Sequence, residues 1–464
     1  MRAALALVLL AGCDPTVYDG VRAAAPVFVV QAPGGAATGN FGAVIVGYAA
    51  HPNGMEVSRF AVTGGDGSAT VAWHAYDGLD TAQPVPRYTD AAVFFSCDMS
   101  ECGMGFGRSI AAFPEWQGPG GAIFHGCIAS PATSGQTTVR CEDQLPFYQT
   151  VGGPTAEAYG SSAAGIDFPQ HRVGAALLGA PDGAAGDGRL YRFPWNGLPP
   201  LMVDLSGAMA PPGSHLGTTL AVTPLSNRTA RFALGTHATG TVQRVVVGTI
   251  DIDDAMVTSV AIEACLLGDA GYGGALAFGD LDGDMQAELL VGSSAASSVQ
   301  GVDIFDPGAF TGTDCTVGVQ PMPILRIRCS DLSESVVCDT QSELGAALAV
   351  GDFDGDGAND LAIGAPGATV QGRAAAGAVF VLAGQAGSIA MLGVGDGRHS
   401  VVFPSTARDQ MRLGTAVAAF GGNGRDELIA GAPLVREVDI FFCTGLSGDR
   451  PGDVPRAVRG CIPP

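Results

Sequence analysis

A bulky apolar residue followed by glycine recurs along the whole of this 464-residue chain: Phe41-Gly42, Phe106-Gly107, Tyr159-Gly160, Leu216-Gly217, Tyr272-Gly273, Leu344-Gly345 and Leu413-Gly414. Successive glycines stand 53 to 72 residues apart. In the clearest copy the pair opens a short apolar run, an acidic loop follows from Asp352 to Asp360, and a second apolar run ends on Gly364-Ala365-Pro366. Repetition of one unit over this length restricts the chain to architectures in which each unit buries its faces against its neighbours.

The frame returns with varying wear. Tyr272-Gly273 leads through Asp280, Asp282 and Asp284 to the run 289–292. Tyr159-Gly160 leads to Gly179-Ala180-Pro181, and Leu413-Gly414 leads to Gly431-Ala432-Pro433. Leu216-Gly217 leads to the run 232–235, and the two amino-terminal copies are the most degenerate. A unit of this size holds four strands of about five residues with their turns. In the clearest copy, third and fourth strands are predicted at 377–382 and 400–403, with further third strands at 188–193 and 302–305. Residues 26–30 are placed to pair into the last unit and close a ring, which would cover an open sheet edge.

Composition agrees with a turn-rich, strand-built core. Apolar residues make up 47% of the chain, and it holds 69 Gly and 29 Pro. The formal charge is −22, and every one of the 23 basic residues is Arg. An acidic surface repels phosphate backbones, so nucleic acid is excluded as a partner. The same charge suits solubility and the gathering of divalent cations.

The first residues point to export. Met1-Arg2 precedes an apolar stretch, 3–11, that is too short to span a bilayer. Leu10-Ala11-Gly12-Cys13 then resembles the bacterial lipobox, which implies cleavage before Cys13 and acylation of that residue; an ordinary secretory signal cut elsewhere is the alternative. The predicted organisation is a signal peptide over 1–12, a lipidated linker over 13–25 and the repeat domain over 26–464. The expected location is the bacterial cell envelope, with membrane contact only through the lipid. After Cys13, ten cysteines remain, an even number that in an exported chain suggests disulfides. Proximity in sequence suggests Cys97–Cys102, Cys127–Cys141, Cys265–Cys315, Cys329–Cys338 and Cys443–Cys461, with connectivity left open.

The motif set resembles the FG-GAP repeat found in integrin α-chain propellers and related bacterial proteins, most specifically in the fifth and sixth copies. The resemblance implies an all-β fold, a seven-bladed β-propeller of four-stranded blades, with calcium loops between the first and second strands of certain blades.

Two loops carry ligands for Ca²⁺, a hard cation that takes about six to eight oxygens. In the sixth repeat these are Asp352, Asp354, Asp356, the Ala358 carbonyl and Asp360, with Gly357 at a sharp turn that needs positive φ. In the fifth they are Asp280, Asp282, Asp284, the Gln286 carbonyl and Glu288, with Met285 in place of that glycine at a cost of ~1 kcal/mol. The plain alternative is a polar turn whose Asp side chains bond only to backbone. The third repeat keeps only Asp167, followed by Pro169, His171 and Ala175. In the seventh, Asn423 and Glu427 alone do not make a site.

No catalytic constellation is found. The seven His, at 51, 74, 125, 171, 215, 237 and 399, show no zinc spacing, and neither a GxSxG elbow nor a phosphate loop occurs. For Trp73, Trp116 and Trp195 core packing is the commoner role, with a ligand platform as the alternative. The expected function is a monomeric, lipid-anchored binding module for a protein or glycan, not an enzyme, with the insertions 306–341 and 384–410 as candidate ligand-engaging segments. The alternatives are a propeller enzyme working at the central channel and a purely structural envelope component. A partner cannot be inferred from fold.

Overall fold

The structure, a computed structural model, describes residues 23–441 except 25–27, 32–40, 51–56, 64–69, 76–91, 97–106, 118–122, 133, 142–147, 156, 169–174, 194–199, 206–212, 237–241, 254–255, 295–299, 311–320, 333–337, 354–356, 385–386, 388, 390–398, 404–406 and 422–425. Cys13 and the predicted signal peptide therefore lie outside the described residues.

Two short strands come first, β1 (Ala23–Ala24) and β2 (Phe28–Gln31). The first repeat forms β3 (Val44–Ala50), β4 (Val57–Thr63), β5 (Thr70–Ala75) and β6 (Ala92–Ser96). The second forms β7 (Ala111–Gln117), β8 (Ile123–Pro131), β9 (Gln136–Cys141) and β10 (Tyr148–Gly152). The third forms β11 (Ser162–Ile166), β12 (Ala175–Ala180), β13 (Arg189–Phe193) and β14 (Leu201–Val203). The fourth forms β15 (Leu216–Pro224), β16 (Thr229–Thr236), β17 (Gln243–Asp253) and β18 (Met256–Gly268). The fifth forms β19 (Tyr272–Gly279), β20 (Glu288–Ser293), β21 (Gly301–Phe305) and β22 (Leu325–Arg328). The sixth forms β23 (Leu348–Gly351), β24 (Asp360–Ala365), β25 (Ala378–Leu382) and β26 (His399–Val402). The seventh contributes β27 (Ala416–Gly421), β28 (Asp426–Ala432) and β29 (Glu437–Phe441).

Each repeat folds as an antiparallel meander, and the chain is an all-β propeller. The expectation of seven four-stranded blades is corrected. Among the described residues, six sheets have four strands, and the sheet of the sixth repeat is five-stranded, because β1 lies parallel along β26 with Ala23 opposite Val401 and Ala24 opposite Val402. The outer strand of a blade leaves a row of unpaired backbone groups, and the incoming chain covers that row. The predicted closing segment appears as β2, which pairs antiparallel with β29, Phe28 opposite Ile440 and Gln31 opposite Glu437. The sheet of the last repeat is thus completed by the amino-terminal end of the described chain.

The middle strands read as unbroken apolar runs because both their faces are covered by adjoining sheets. Every residue of β12, β20 and β24 is buried. Leu290, Ile304 and Ile327 of one sheet pack with Leu361, Ile363 and Phe380 of the next. Full burial of one such side chain stabilises by about 1.5–3 kcal/mol.

The repeat signature has a single physical origin. All seven leading glycines, from Gly42 to Gly414, have φ between +72° and +99°, a region costly for any residue with a Cβ. The glycine that closes the second apolar run lies against the carbonyl of the leading glycine of the next repeat. A Cβ on Gly364 would stand 2.1 Å from the Gly414 oxygen, and one on Gly292 would stand 2.2 Å from the Gly345 oxygen. Hydroxyls strengthen the worn junctions. Thr63 Oγ1 donates to Gly107 O at 2.8 Å, Ser109 Oγ to Gly160 O at 2.7 Å, Ser162 Oγ to Gly217 O at 2.8 Å and Thr219 Oγ1 to Gly273 O at 2.6 Å.

Candidate metal centre

The two acidic loops join the first and second strands of their sheets. In the fifth repeat Gly279 pairs with Glu288, and in the sixth Gly351 pairs with Asp360. The closing acid is therefore the first residue of β20 or β24, fixed by the ladder, and the other acids belong to the connection.

The described residues of both loops bond to the first and closing acids in the same way. Asp280 Oδ2 accepts the Met285 N–H at 2.9 Å, and Asp352 Oδ2 accepts the Gly357 N–H at 2.9 Å. Glu288 Oε2 accepts the Leu281 N–H at 2.8 Å, and Asp360 Oδ2 accepts the Phe353 N–H at 2.9 Å. In the fifth loop Asp280 Oδ1 also accepts the Gly283 N–H at 2.7 Å. Gly357 has φ +89° and Met285 has φ +70°, so the two equivalent positions share the left-handed conformation despite their different side chains.

Asp280, Asp282 and Glu288 converge, with one carboxylate oxygen of each within 4.8 Å of the others. Glu288 is buried and the two aspartates are half-buried. Asp284 stands outside this group. Its Oδ1 accepts the Gln286 N–H at 2.7 Å and its Oδ2 accepts the Gln286 Nε2 at 3.2 Å. Burial pushes the Glu288 carboxyl up to about 7, the Leu281 N–H opposes that rise, and the charges of Asp282 and Asp280 add to it. The donor set fits a calcium ion: all three groups are hard oxygens, and their mutual repulsion is relieved by a cation between them. In the sixth loop Asp352, Ala358 and Asp360 lie among the described residues, and Asp354 and Asp356 lie outside them.

Two residues that the sequence pattern did not mark tie these loops to their neighbours. Asn359 Nδ2 donates to the Asp280 carbonyl at 2.7 Å. Asp426 Oδ2 accepts the Asp352 N–H at 3.0 Å, while the Asp426 N–H donates to the Asp352 carbonyl at 2.7 Å. Burial raises the Asp426 carboxyl above its ordinary value, against the Asp352 N–H, and the Asp352 charge adds to the rise. Asp426 pairs with Gly421 in the ladder, which makes it the counterpart of Glu288 and Asp360. The signal available in the sequence was this register: the shortened loop 422–425 moves the closing acid to Asp426 rather than Glu427.

Disulfides link Cys127 to Cys141, across β8 and β9, and Cys329 to Cys338. Cys265 is also disulfide-bonded. Cys97, Cys102, Cys315, Cys443 and Cys461 lie outside the described residues.

Ring-wise packing of antiparallel sheets, with acidic loops between first and second strands, defines a β-propeller of the repeat-built class, a binding or structural module in general. Residues 344–382 match the family model described as FG-GAP repeat, so this is a β-propeller carrying an FG-GAP repeat, the match falling on the copy with the clearest motif. Comparison with curated proteins gives no match.

Proposed function

We propose that this chain is a lipid-anchored binding module of the bacterial cell envelope that recognises a protein or a glycan, with calcium holding loops 280–288 and 352–360 in shape. The observation that carries the calcium reading is the convergence of Asp280, Asp282 and Glu288 within 4.8 Å. The shared hydrogen-bond pattern of the two loops extends it to the sixth repeat.

Several features support the rest of the reading. The Leu10-Ala11-Gly12-Cys13 motif supports acylation at Cys13. Disulfides persist in oxidising compartments, so Cys127–Cys141 and Cys329–Cys338 support export.

Melting the purified protein with calcium and with EDTA tests the cation. Chelation lowers the melting temperature of the parent, and Asp282→Ala combined with Asp354→Ala removes the response. An unchanged melting curve in EDTA sinks the calcium reading. Recognition is tested by capturing envelope and culture-medium components on the immobilised calcium-loaded protein, with an EDTA-treated sample in parallel. Saturable capture that EDTA abolishes supports the module; no capture by a folded, calcium-loaded protein counts against it.

A further inference from the structure

We propose that the end of the ring carrying loops 280–288 and 352–360 lies on a phospholipid bilayer, with Met285 and Met322 entering the interface of the membrane that holds the lipid on Cys13. The inference rests on the lipid-anchor reading above.

Strand direction shows from which end the chain enters. In each meander, the connections from first to second strand and from third to fourth strand share one end. In the sixth repeat that end carries Gly351 opposite Asp360, and Leu382 opposite His399. β26 starts there, and β1 runs parallel to it, with Ala23 opposite Val401 and Ala24 opposite Val402. The chain therefore enters β1 from the end that bears the acidic loops. Cys13 stands ten positions before Ala23, a reach of at most ~33–36 Å. So short a tether, leaving at this end, holds this end towards the bilayer. Presenting the opposite end would use up roughly half of that reach, because the chain would first run back past strands of four to six residues, about 13–20 Å.

The same end exposes apolar side chains. Among the described residues, the two most exposed large apolar ones are Met285, at 91%, and Met322, at 81%. Met285 belongs to the connection from β19 to β20, and Met322 to the one from β21 to β22. Ile324, in that second connection, and Leu225, between β15 and β16, are exposed as well. The Ile324 N–H donates to the Ile304 carbonyl at 2.8 Å, and the Leu225 N–H donates to the Thr229 carbonyl at 2.8 Å, which fixes both at this end.

Met285 also carries backbone strain. It has φ +70° where the sixth loop has Gly357, and its exposure leaves that strain without a return from packing inside the chain. Methionine is unbranched and polarisable, so it adapts to irregular apolar surroundings such as the acyl boundary of a bilayer. The formal charge of −22 sets the chain against an anionic surface. Zwitterionic headgroups are therefore the surface that this end fits.

The test uses the full acylated chain in vesicles of phosphatidylcholine whose acyl chains carry bromine, which quenches tryptophan emission on contact. Met285→Trp places a reporter at the proposed contact. Leu434→Trp places one at the opposite end, in the turn between β28 and β29, where Leu434 is 54% exposed. The emission that Met285→Trp adds to the parent is largely lost in brominated vesicles and kept in unbrominated ones, while that of Leu434→Trp is kept in both. Met322→Trp serves if Met285→Trp folds poorly, and the same loss is expected. Loss at Leu434→Trp instead, at both ends alike or at neither overturns the orientation while the acylated protein remains on the vesicles. A mature protein whose mass shows no acyl group on Cys13 overturns the anchor reading itself, and the orientation with it.

Discussion

The carbonyl oxygen of Gly42 occupies the space that a side chain on Gly431 would need, 1.8 Å from the position of its Cβ. The first and last repeats meet at this contact, backbone against backbone. Here the ring of sheets closes, beside the pairing of β2 with β29.

Gly431→Ala forces these two backbones apart and destabilises the protein by about 2–4 kcal/mol, in the range of overpacking at a site that cannot yield. Gly372→Ala is a useful contrast, because a Cβ there meets nothing within 4 Å but faces φ +76°; its cost is the backbone strain alone, about 1 kcal/mol. Urea unfolding of both variants decides the matter. Equal losses would show that the seam has room.

Opening the Cys127–Cys141 bridge is expected to cost about 2–3 kcal/mol. The two residues face each other across β8 and β9, and the bridge closes a loop with a sequence separation of 14, for which the entropy of the unfolded chain predicts this size of effect. The measurement is the denaturation midpoint of the double alanine variant with and without reductant. The parent should lose stability on reduction, and the variant should lose less.

Asp439 makes stability fall as pH rises. It is 1% exposed on β29. Burial pushes its carboxyl from 3.8 up to about 7, the Glu437 charge adds to the rise, and Arg408 opposes it. The folded state therefore keeps its proton to about pH 7, while the unfolded chain releases it near the ordinary value. The contribution is complete below the unfolded value, declines through the window between the two and is gone above the folded one. Asp439→Asn flattens this dependence, gaining roughly 2–4 kcal/mol relative to the parent between pH 5 and pH 8. Parallel curves for the two proteins across that range would show that Asp439 is not the group responsible.

Met285 sits in the left-handed region and is 91% exposed. It has strain and little packing to lose. Met285→Gly should raise stability by about 0.5 kcal/mol, the release of strain being partly offset by the greater freedom of glycine in the unfolded chain. A lower melting temperature for Met285→Gly would mean that this side chain packs in a way its exposure conceals.

Much of this architecture is legible in the residues themselves. A glycine at each leading position and a second before Ala-Pro follow from local necessity, positive φ in one case and contact with a neighbouring carbonyl in the other. The strands at 378–382, 399–402, 189–193 and 301–305 follow from short apolar runs between turns, and the pairing of 28–31 into the last sheet follows from the need to cover an edge. The alternating acids of both loops, and the left-handed turns at Gly357 and Met285, are equally local. What the chain could not display in one dimension is everything decided between sheets. The short strand at 23–24 joins the sixth sheet only because an outer edge passes close to it, and uniform four-stranded blades were the wrong expectation for that reason. Asp284 accepts both amides of Gln286, a local partner that the alternation of acids does not display. Asn359 and Asp426 look like ordinary loop residues until the ring brings Asp280 and Asp352 within hydrogen-bond reach. Periodicity and turn chemistry act over a few residues and leave their mark in the sequence; contacts between residues more than seventy positions apart exist only once the ring has formed.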